Sequence, residues 1–125
     1  MICGRALVNE LEVIARAVLG GDALVVRSKV QDWLASSPRF DKCDPPDCAD
    51  PSILAVAASL VELLASRRGQ SAPGWTKSVG AVDRPLYLLK SAESMPRLRQ
   101  LCDEESPEPL RKRRLFAPPN YLEFV

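Results

Sequence analysis

The first half of the chain is dominated by apolar residues that recur three and four positions apart, the spacing of one face of a helix. This spacing predicts three core helices, over residues 5–18, 22–36 and 51–68. Gly20 and Gly21 supply a permissive stop for the first helix, and Asp22 is a suitable N-cap for the second. The third begins at Asp50 and Pro51, because a proline at the first helical position has no N–H to leave unpaired. Its apolar residues cover more than half of its circumference, so we expect it at the centre of the core.

Beyond residue 70 the periodic pattern weakens, and prolines, glycines and serines become frequent. Short helices are predicted at about residues 95–103 and 107–114, the second with Ser106 as its N-cap. The apolar run Leu86–Leu89 fits a short edge strand.

The whole pattern predicts a mainly α fold: a small helical domain with an irregular proline-rich C-terminal segment that can include one short strand. At 125 residues the chain is long enough for one hydrophobic core and too short for two ordinary domains. We therefore divide it into a single helical domain, residues 1–114, and an aromatic C-terminal tail, residues 115–125.

Charge and hydropathy narrow the range of partners and locations. Seventeen lysines and arginines against sixteen aspartates and glutamates leave a net charge of +1, so no global field attracts nucleic acid or anionic lipid. The longest apolar stretch, Ile53–Ala65, is shorter than the roughly 20 residues that a bilayer requires. Glu10 and Glu12 interrupt the region where a signal peptide would be apolar. We expect a cytoplasmic protein that does not bind membranes.

The chain contains no histidine, which removes the commonest proton shuttle near neutral pH and the Ser-His and Cys-His nucleophile pairs. Glycine-rich phosphate loops are missing as well, since Gly20 and Gly21 are not followed by Lys-Ser or Lys-Thr. The sequence therefore predicts no catalytic site and no cofactor.

Four cysteines could supply the four thiolates of a zinc site: Cys3, Cys43, Cys48 and Cys102. Their spacing argues against it, because only two of them are close in sequence. Free thiols without metal are the favoured interpretation, and a redox-active disulfide between Cys43 and Cys48 is the alternative. Thiol catalysis is disfavoured, because only Lys42 stands beside Cys43 to lower its pKa.

Basic residues are densest in the C-terminal third, where they could contact phosphates of a nucleic acid: Arg97, Arg99, Arg111, Lys112, Arg113 and Arg114. Acidic residues are interleaved with them, at positions 103, 104, 105 and 108. This mixture favours a solvated helical face with internal ion pairs. A nucleic-acid-binding regulator that uses this cluster is the alternative.

Aromatic residues concentrate in the tail, beside Pro118 and Pro119. Such residues provide the anchors of many protein interfaces, so the candidate partner-binding residues are Phe116, Tyr121, Leu122, Phe124 and, from an earlier loop, Trp75. The tail could instead fold back over its own domain, in the groove between the first and third helices. Trp33 lies on the apolar face of the second helix and is predicted to be core.

These observations favour a non-catalytic protein-interaction module that binds another protein. A small cytoplasmic antitoxin-like neutraliser or an adaptor subunit would suit its size. Nucleic acid is the less favoured partner, and homo-oligomerisation stays open.

Overall fold

The computed structural model describes residues 10–36, 39–46, 50–119, 121 and 122. This part of the chain contains five α-helices, α1 (Glu10–Gly20), α2 (Ala23–Ala35), α3 (Pro51–Arg67), α4 (Pro96–Glu105) and α5 (Glu108–Arg111). It also contains two strands, β1 (Leu86–Tyr87) and β2 (Leu115–Phe116), and 3₁₀ turns at Phe40–Lys42, Gly74–Ser78 and Lys90–Glu93. The mainly α fold is confirmed, with a second short strand in addition to the predicted one. None of the described helices is both long and apolar enough to cross a membrane.

Helix α3 is the centre of the core, as its apolar circumference predicts. Eleven of its seventeen residues are buried, and it contacts α1, α5 and the turns at Phe40–Lys42 and Gly74–Ser78. The carboxylate of Asp50 caps the helix by accepting a 2.9 Å hydrogen bond from the N–H of Ser52, and Pro51 occupies the first turn. Local sequence signals therefore place this helix correctly.

Helix α1 packs against both α2 and α3, and the apolar faces of the three helices belong to one core cluster. Gly21 adopts a φ of +77°, and its N–H donates to the carbonyl of Val18 at 3.0 Å, which ends α1. Asp22 then caps α2 by accepting from the N–H of Val25 at 3.1 Å. Trp33 is buried, as predicted, with its ring edge-to-face against Phe40 at a centroid distance of 5.3 Å. Residues 5–9 of the predicted first helix lie outside the described residues.

The C-terminal tail is continuous with the domain rather than separate from it. Strand β2 pairs in parallel with β1, with Leu115 opposite Leu86 and Phe116 opposite Tyr87. Beyond the strand, Ala117, Tyr121 and Leu122 are buried in the same core cluster as the helices. The described residues of the tail therefore share the core of the helical domain. Residues 123–125 lie outside the described part.

Ser106 does not cap α5 as the sequence predicts. The N-cap position belongs to Pro107, and α5 ends at Arg111 instead of residue 114. The Ser106 hydroxyl is buried and accepts a 3.0 Å hydrogen bond from the N–H of Ala117. It also lies within hydrogen-bond distance of the carbonyl oxygens of Cys102 and Ala117. Ser106 therefore joins α4 to the tail.

Candidate functional site

Arg113 lies inside the domain although it belongs to the predicted basic cluster, and only 2 % of it is exposed. Its guanidinium donates to both carboxylate oxygens of Glu62, at 2.8 and 3.0 Å. It also donates to the carbonyl oxygens of Thr76 at 2.8 Å, Pro109 at 3.0 Å and Val79 at 3.2 Å. These acceptors match the five N–H groups of an arginine. Arg113 therefore joins α3, the Gly74–Ser78 region and α5, and is not available to a phosphate.

Glu62 is the acidic partner of this internal network. Burial raises the pKa of its carboxyl, but hydrogen bonds from Arg113, Thr76 and Lys112 outweigh burial and lower the pKa from 4.5 to about 2. The Lys112 ammonium reaches the same carboxylate from the solvent side, at 3.1 Å. The carboxylate is therefore ionised at neutral pH and serves to hold two cations of the predicted basic cluster.

The other four cations of that cluster lie at the surface, but most have internal contacts. Arg111 donates to the carbonyl of Ser106 at 3.1 Å, and Arg114 donates to the carbonyl of Asp83 at 3.1 Å. Arg99 lies over the ring of Tyr87, 5.0 Å from its centroid, and Arg97 is exposed on α4. The predicted cluster is thus divided among several structural roles.

Tyr87 connects Arg99, which lies over its ring, to the two-stranded sheet. Its hydroxyl donates to the carboxylate of Asp103, and its ring lies 5.5 Å from that of Phe116 on the neighbouring strand. Phe116, a predicted partner anchor, is only half-buried here. It is therefore the described tail aromatic that keeps an accessible surface.

Most of the other predicted partner anchors are buried in their own domain or hydrogen-bonded to it. Tyr121 and Leu122 belong to the core, and burial raises the pKa of the Tyr121 phenol. Trp75 is half-buried against the core and donates from Nε1 to the carbonyl of Cys43 at 2.8 Å. Phe124 lies outside the described residues. The described part of the tail thus folds back over its own domain, and most of the surface of Tyr121 and Leu122 is covered there.

The described cysteines, Cys43 and Cys102, are free thiols. Burial, followed by the charges of Asp44 and Asp41, raises the pKa of Cys43, which makes its thiolate harder to form. Within the described ranges no group of three or more acidic or thiol side chains is arranged to hold a metal ion. Cys3 and Cys48 lie outside those ranges.

A groove of about 420 Å³ opens where the α1–α2 turn, the segment after β1 and the folded-back tail meet. We call it the α2 groove. Most of its lining is apolar, from Val18, Gly21, Ala23, Leu24, Val26, Leu88, Leu89, Pro118, Tyr121 and Leu122. Arg27 and Lys90 are the charged residues among those that line it. Its volume is within the range of ligand-binding clefts.

Leu24 stands at the rim of the α2 groove and is 79 % exposed, the largest exposure among the large apolar residues that the structure describes. It does not follow the spacing of the buried α2 residues, which begins at Val26 and continues through Val30 and Trp33. Val25, beside it, is also exposed. An apolar residue out of phase with the buried face of its helix is the sequence signal that could have identified this rim.

Lys90 is held at the rim by close packing against Gly21. A Cβ atom on Gly21 would lie 2.6 Å from Cε of Lys90 and 2.9 Å from its Cγ, so the lysine stem occupies the space that the glycine leaves open. Among the described residues Lys90 takes part in no ion pair. Its ammonium therefore supplies positive charge beside an apolar surface. Nothing in the sequence pattern singles out this lysine.

A second groove adjoins the α2 groove and shares Leu122 with it. It is lined by Leu34, Leu63, Leu64, Arg67, Arg68, Pro107, Pro119 and Leu122. Arg67 ties the tail down along this groove, donating to the carbonyls of Tyr121 and Pro119. The folded-back tail thus forms a wall of both grooves.

This arrangement offers apolar contact and positive charge rather than a nucleophile with its base. Binding of another molecule at the α2 groove is the chemistry that its exposed leucine and lysine can provide. Comparison of the chain with protein families, with curated proteins and with solved structures found no match.

Proposed function

We propose that this chain is a non-catalytic protein-interaction module, and that the partner docks on the α2 groove. The observation that carries the proposal is the position of Leu24, a leucine 79 % exposed at the rim of an apolar cleft. Isolated apolar residues at a surface need no explanation, but one that continues a concave apolar lining favours a binding site. Leu24 therefore replaces the buried Tyr121 and Leu122 as the proposed anchor.

Two kinds of module fit this proposal. An antitoxin-like neutraliser would cover the working surface of a second protein, whereas an adaptor subunit would join proteins without altering their activity. An activity assay of the purified partner with and without this chain distinguishes them. Inhibition identifies a neutraliser, and unchanged activity within a stable complex identifies an adaptor.

The test of the docking site compares two substitutions of exposed apolar residues. Leu24→Asp places an acidic residue in the first turn of α2, and Met95→Asp places one at the N-cap of α4, where 53 % of Met95 is exposed. Both positions tolerate aspartate, since a carboxylate near a helix N-terminus is favourable. Met95 does not line the α2 groove, so it is a matched control.

Each tagged variant is expressed in the host of the protein, and the co-purifying proteins are quantified by mass spectrometry. We expect at least one protein to be retained by the unmodified chain and by Met95→Asp but lost with Leu24→Asp. If every co-purifying protein is retained by Leu24→Asp, the α2 groove is not the docking site.

No contact among the described residues favours the nucleic-acid alternative. Arg113 is buried and donates to Glu62, and the Lys112 ammonium forms an ion pair with the same carboxylate. The remaining cations are divided between α4 and the residues around α5. We therefore base the proposal on the groove rather than on the basic cluster.

A further inference from the structure

We infer that the α2 groove binds a partner segment in which an apolar side chain is flanked by carboxylates. This inference rests on the proposed function, and it states the chemistry of the partner at the same site. The apolar side chain would enter between Leu24 and the buried lining, and the carboxylates would face the cations at the rim.

The charge of the lining carries the argument. Arg27 and Lys90 are basic, and no acidic residue is among the described residues that line the α2 groove. The adjoining groove is lined by Arg67 and Arg68, again with no acidic residue among the lining residues that the structure describes. The chain as a whole has a net charge of only +1, so the basic character of the described lining does not follow from the composition. Complementary charge favours an acidic partner and disfavours a basic one.

One described acidic residue, Asp22, is a direct sequence neighbour of the groove lining. Asp22 precedes the groove residue Ala23, but its carboxylate caps α2 by accepting from the N–H of Val25. Lys90, in contrast, is braced over Gly21 with no ion pair among the described residues. Because the stem of Lys90 is already confined beside Gly21, binding of a carboxylate by its ammonium costs less side-chain entropy than at a freely rotating lysine. Lys90 is thus the cation that we expect to contribute most.

The primary test uses a peptide array as the probe. Each peptide carries a central leucine, isoleucine, phenylalanine or tryptophan, flanked by glutamate, glutamine or lysine in all combinations. We expect binding to be strongest with glutamate flanks, at least about tenfold weaker with lysine flanks, and weakened by added salt. No binding, equal binding or a preference for lysine flanks overturns the inference.

Variants of the intact chain connect the array to the groove. Lys90→Glu should reduce binding of the glutamate-flanked peptides about tenfold or more, equivalent to one charge pair changed to repulsion. Lys77→Glu, at an exposed lysine that does not line either groove, is the control and should have no effect. Unchanged binding by Lys90→Glu contradicts the inference.

A second pair of variants moves Lys90 without changing any charge. Gly21→Ala and Gly69→Ala both place a side chain at a positive φ, +77° and +69°, so their backbone strain is similar. Only the first Cβ atom would meet Lys90, because nothing lies within 4 Å of the second. We expect weaker peptide binding with Gly21→Ala and not with Gly69→Ala. Equal effects would show that the placement of Lys90 is unimportant.

The same variants separate this inference from the proposed function. A partner that is lost with Leu24→Asp but retained by Lys90→Glu supports the docking site and overturns the charge requirement. If no partner depends on Leu24, both proposals fail. If the species that depends on Leu24 is a second copy of this chain, detected with two differently tagged copies, the partner is a homodimer and the acidic segment is refuted.

Discussion

Replacement of Arg113 by alanine removes a side chain that joins α3, the Gly74–Ser78 region and α5. It leaves the carboxylate of Glu62 and the carbonyl oxygens of Thr76, Val79 and Pro109 without their donor. Lys112 still contacts Glu62 from the solvent side, so the carboxylate keeps one of its cations. The expected effect is a large loss of stability without any change in the apolar core.

The size of the loss follows from the burial of the pair. Removal of one partner of a buried ion pair costs about 3–5 kcal/mol, because the other charge remains buried without its counter-ion. The Glu62 side chain is 14 % exposed, so solvent can reach it in part and the lower end of that range is expected. For a domain with about 5–15 kcal/mol of total stability, this is a substantial fraction.

Urea unfolding followed by tryptophan fluorescence measures the effect, with Trp33 and Trp75 as reporters. With a slope of about 1–3 kcal/mol per molar urea, a loss of 3–4 kcal/mol moves the midpoint by roughly 2 M. Arg113→Lys is the second variant, because lysine keeps the charge but has three donors instead of five. Its loss should be smaller, about 1–3 kcal/mol.

Arg97→Ala is the matched control, since Arg97 is an exposed arginine on α4. Its free energy of unfolding should change by less than about 0.5 kcal/mol. If Arg113→Ala cost no more than Arg97→Ala, the side chain could not be the buried donor described above. That result would refute the reasoning and return Arg113 to the set of surface cations.

Three further predictions concern the same fold. The lowered pKa of Glu62 contributes stability that is complete above pH 4.5 and is lost as the pH falls toward about 2. Because solvent partly screens the carboxylate, this contribution is about 1–2 kcal/mol. The difference in unfolding free energy between the unmodified chain and Glu62→Gln should therefore disappear over that pH interval. Ser106→Ala leaves the buried N–H of Ala117 without its acceptor and should cost about 1–3 kcal/mol in urea unfolding, whereas Ser78→Ala, at an exposed serine, should cost less than about 0.5. Leu24→Asp should leave the free energy of unfolding within about 0.5 kcal/mol of that of the unmodified chain, because Leu24 is exposed. A large loss of stability would contradict this exposure.

The first half of the domain could be predicted from sequence because its signals are local. Asp22 and Asp50 accept from N–H groups three and two residues further along the chain, respectively, and the apolar spacing of α3 identifies its buried face. Trp33 follows the same spacing and is core. These features depend on neighbours within one or two turns, so no knowledge of the tertiary fold is needed.

The roles of individual residues in the C-terminal third depend on contacts that the sequence does not show. Four consecutive basic residues, 111–114, look equivalent in sequence, yet one of them is buried. Burial of Arg113 requires an acidic partner, Glu62, that lies 51 residues away, and only the packing of α3 against α5 brings the two together. Ser106 likewise has the sequence context of an N-cap but binds a backbone group 11 residues further on.

The sequence by itself determined the mainly helical fold, the three core helices as far as they are described, and the central position of α3. Only the tertiary structure decided that Tyr121 and Leu122 are covered by their own domain, and that Leu24 is not. The physical reason is that the free energy gained by burying an apolar residue depends on the apolar area removed from water and not on which apolar surface covers it. Which surface covers which residue is decided by long-range packing, and that packing leaves the α2 groove as the apolar concavity beside an exposed leucine.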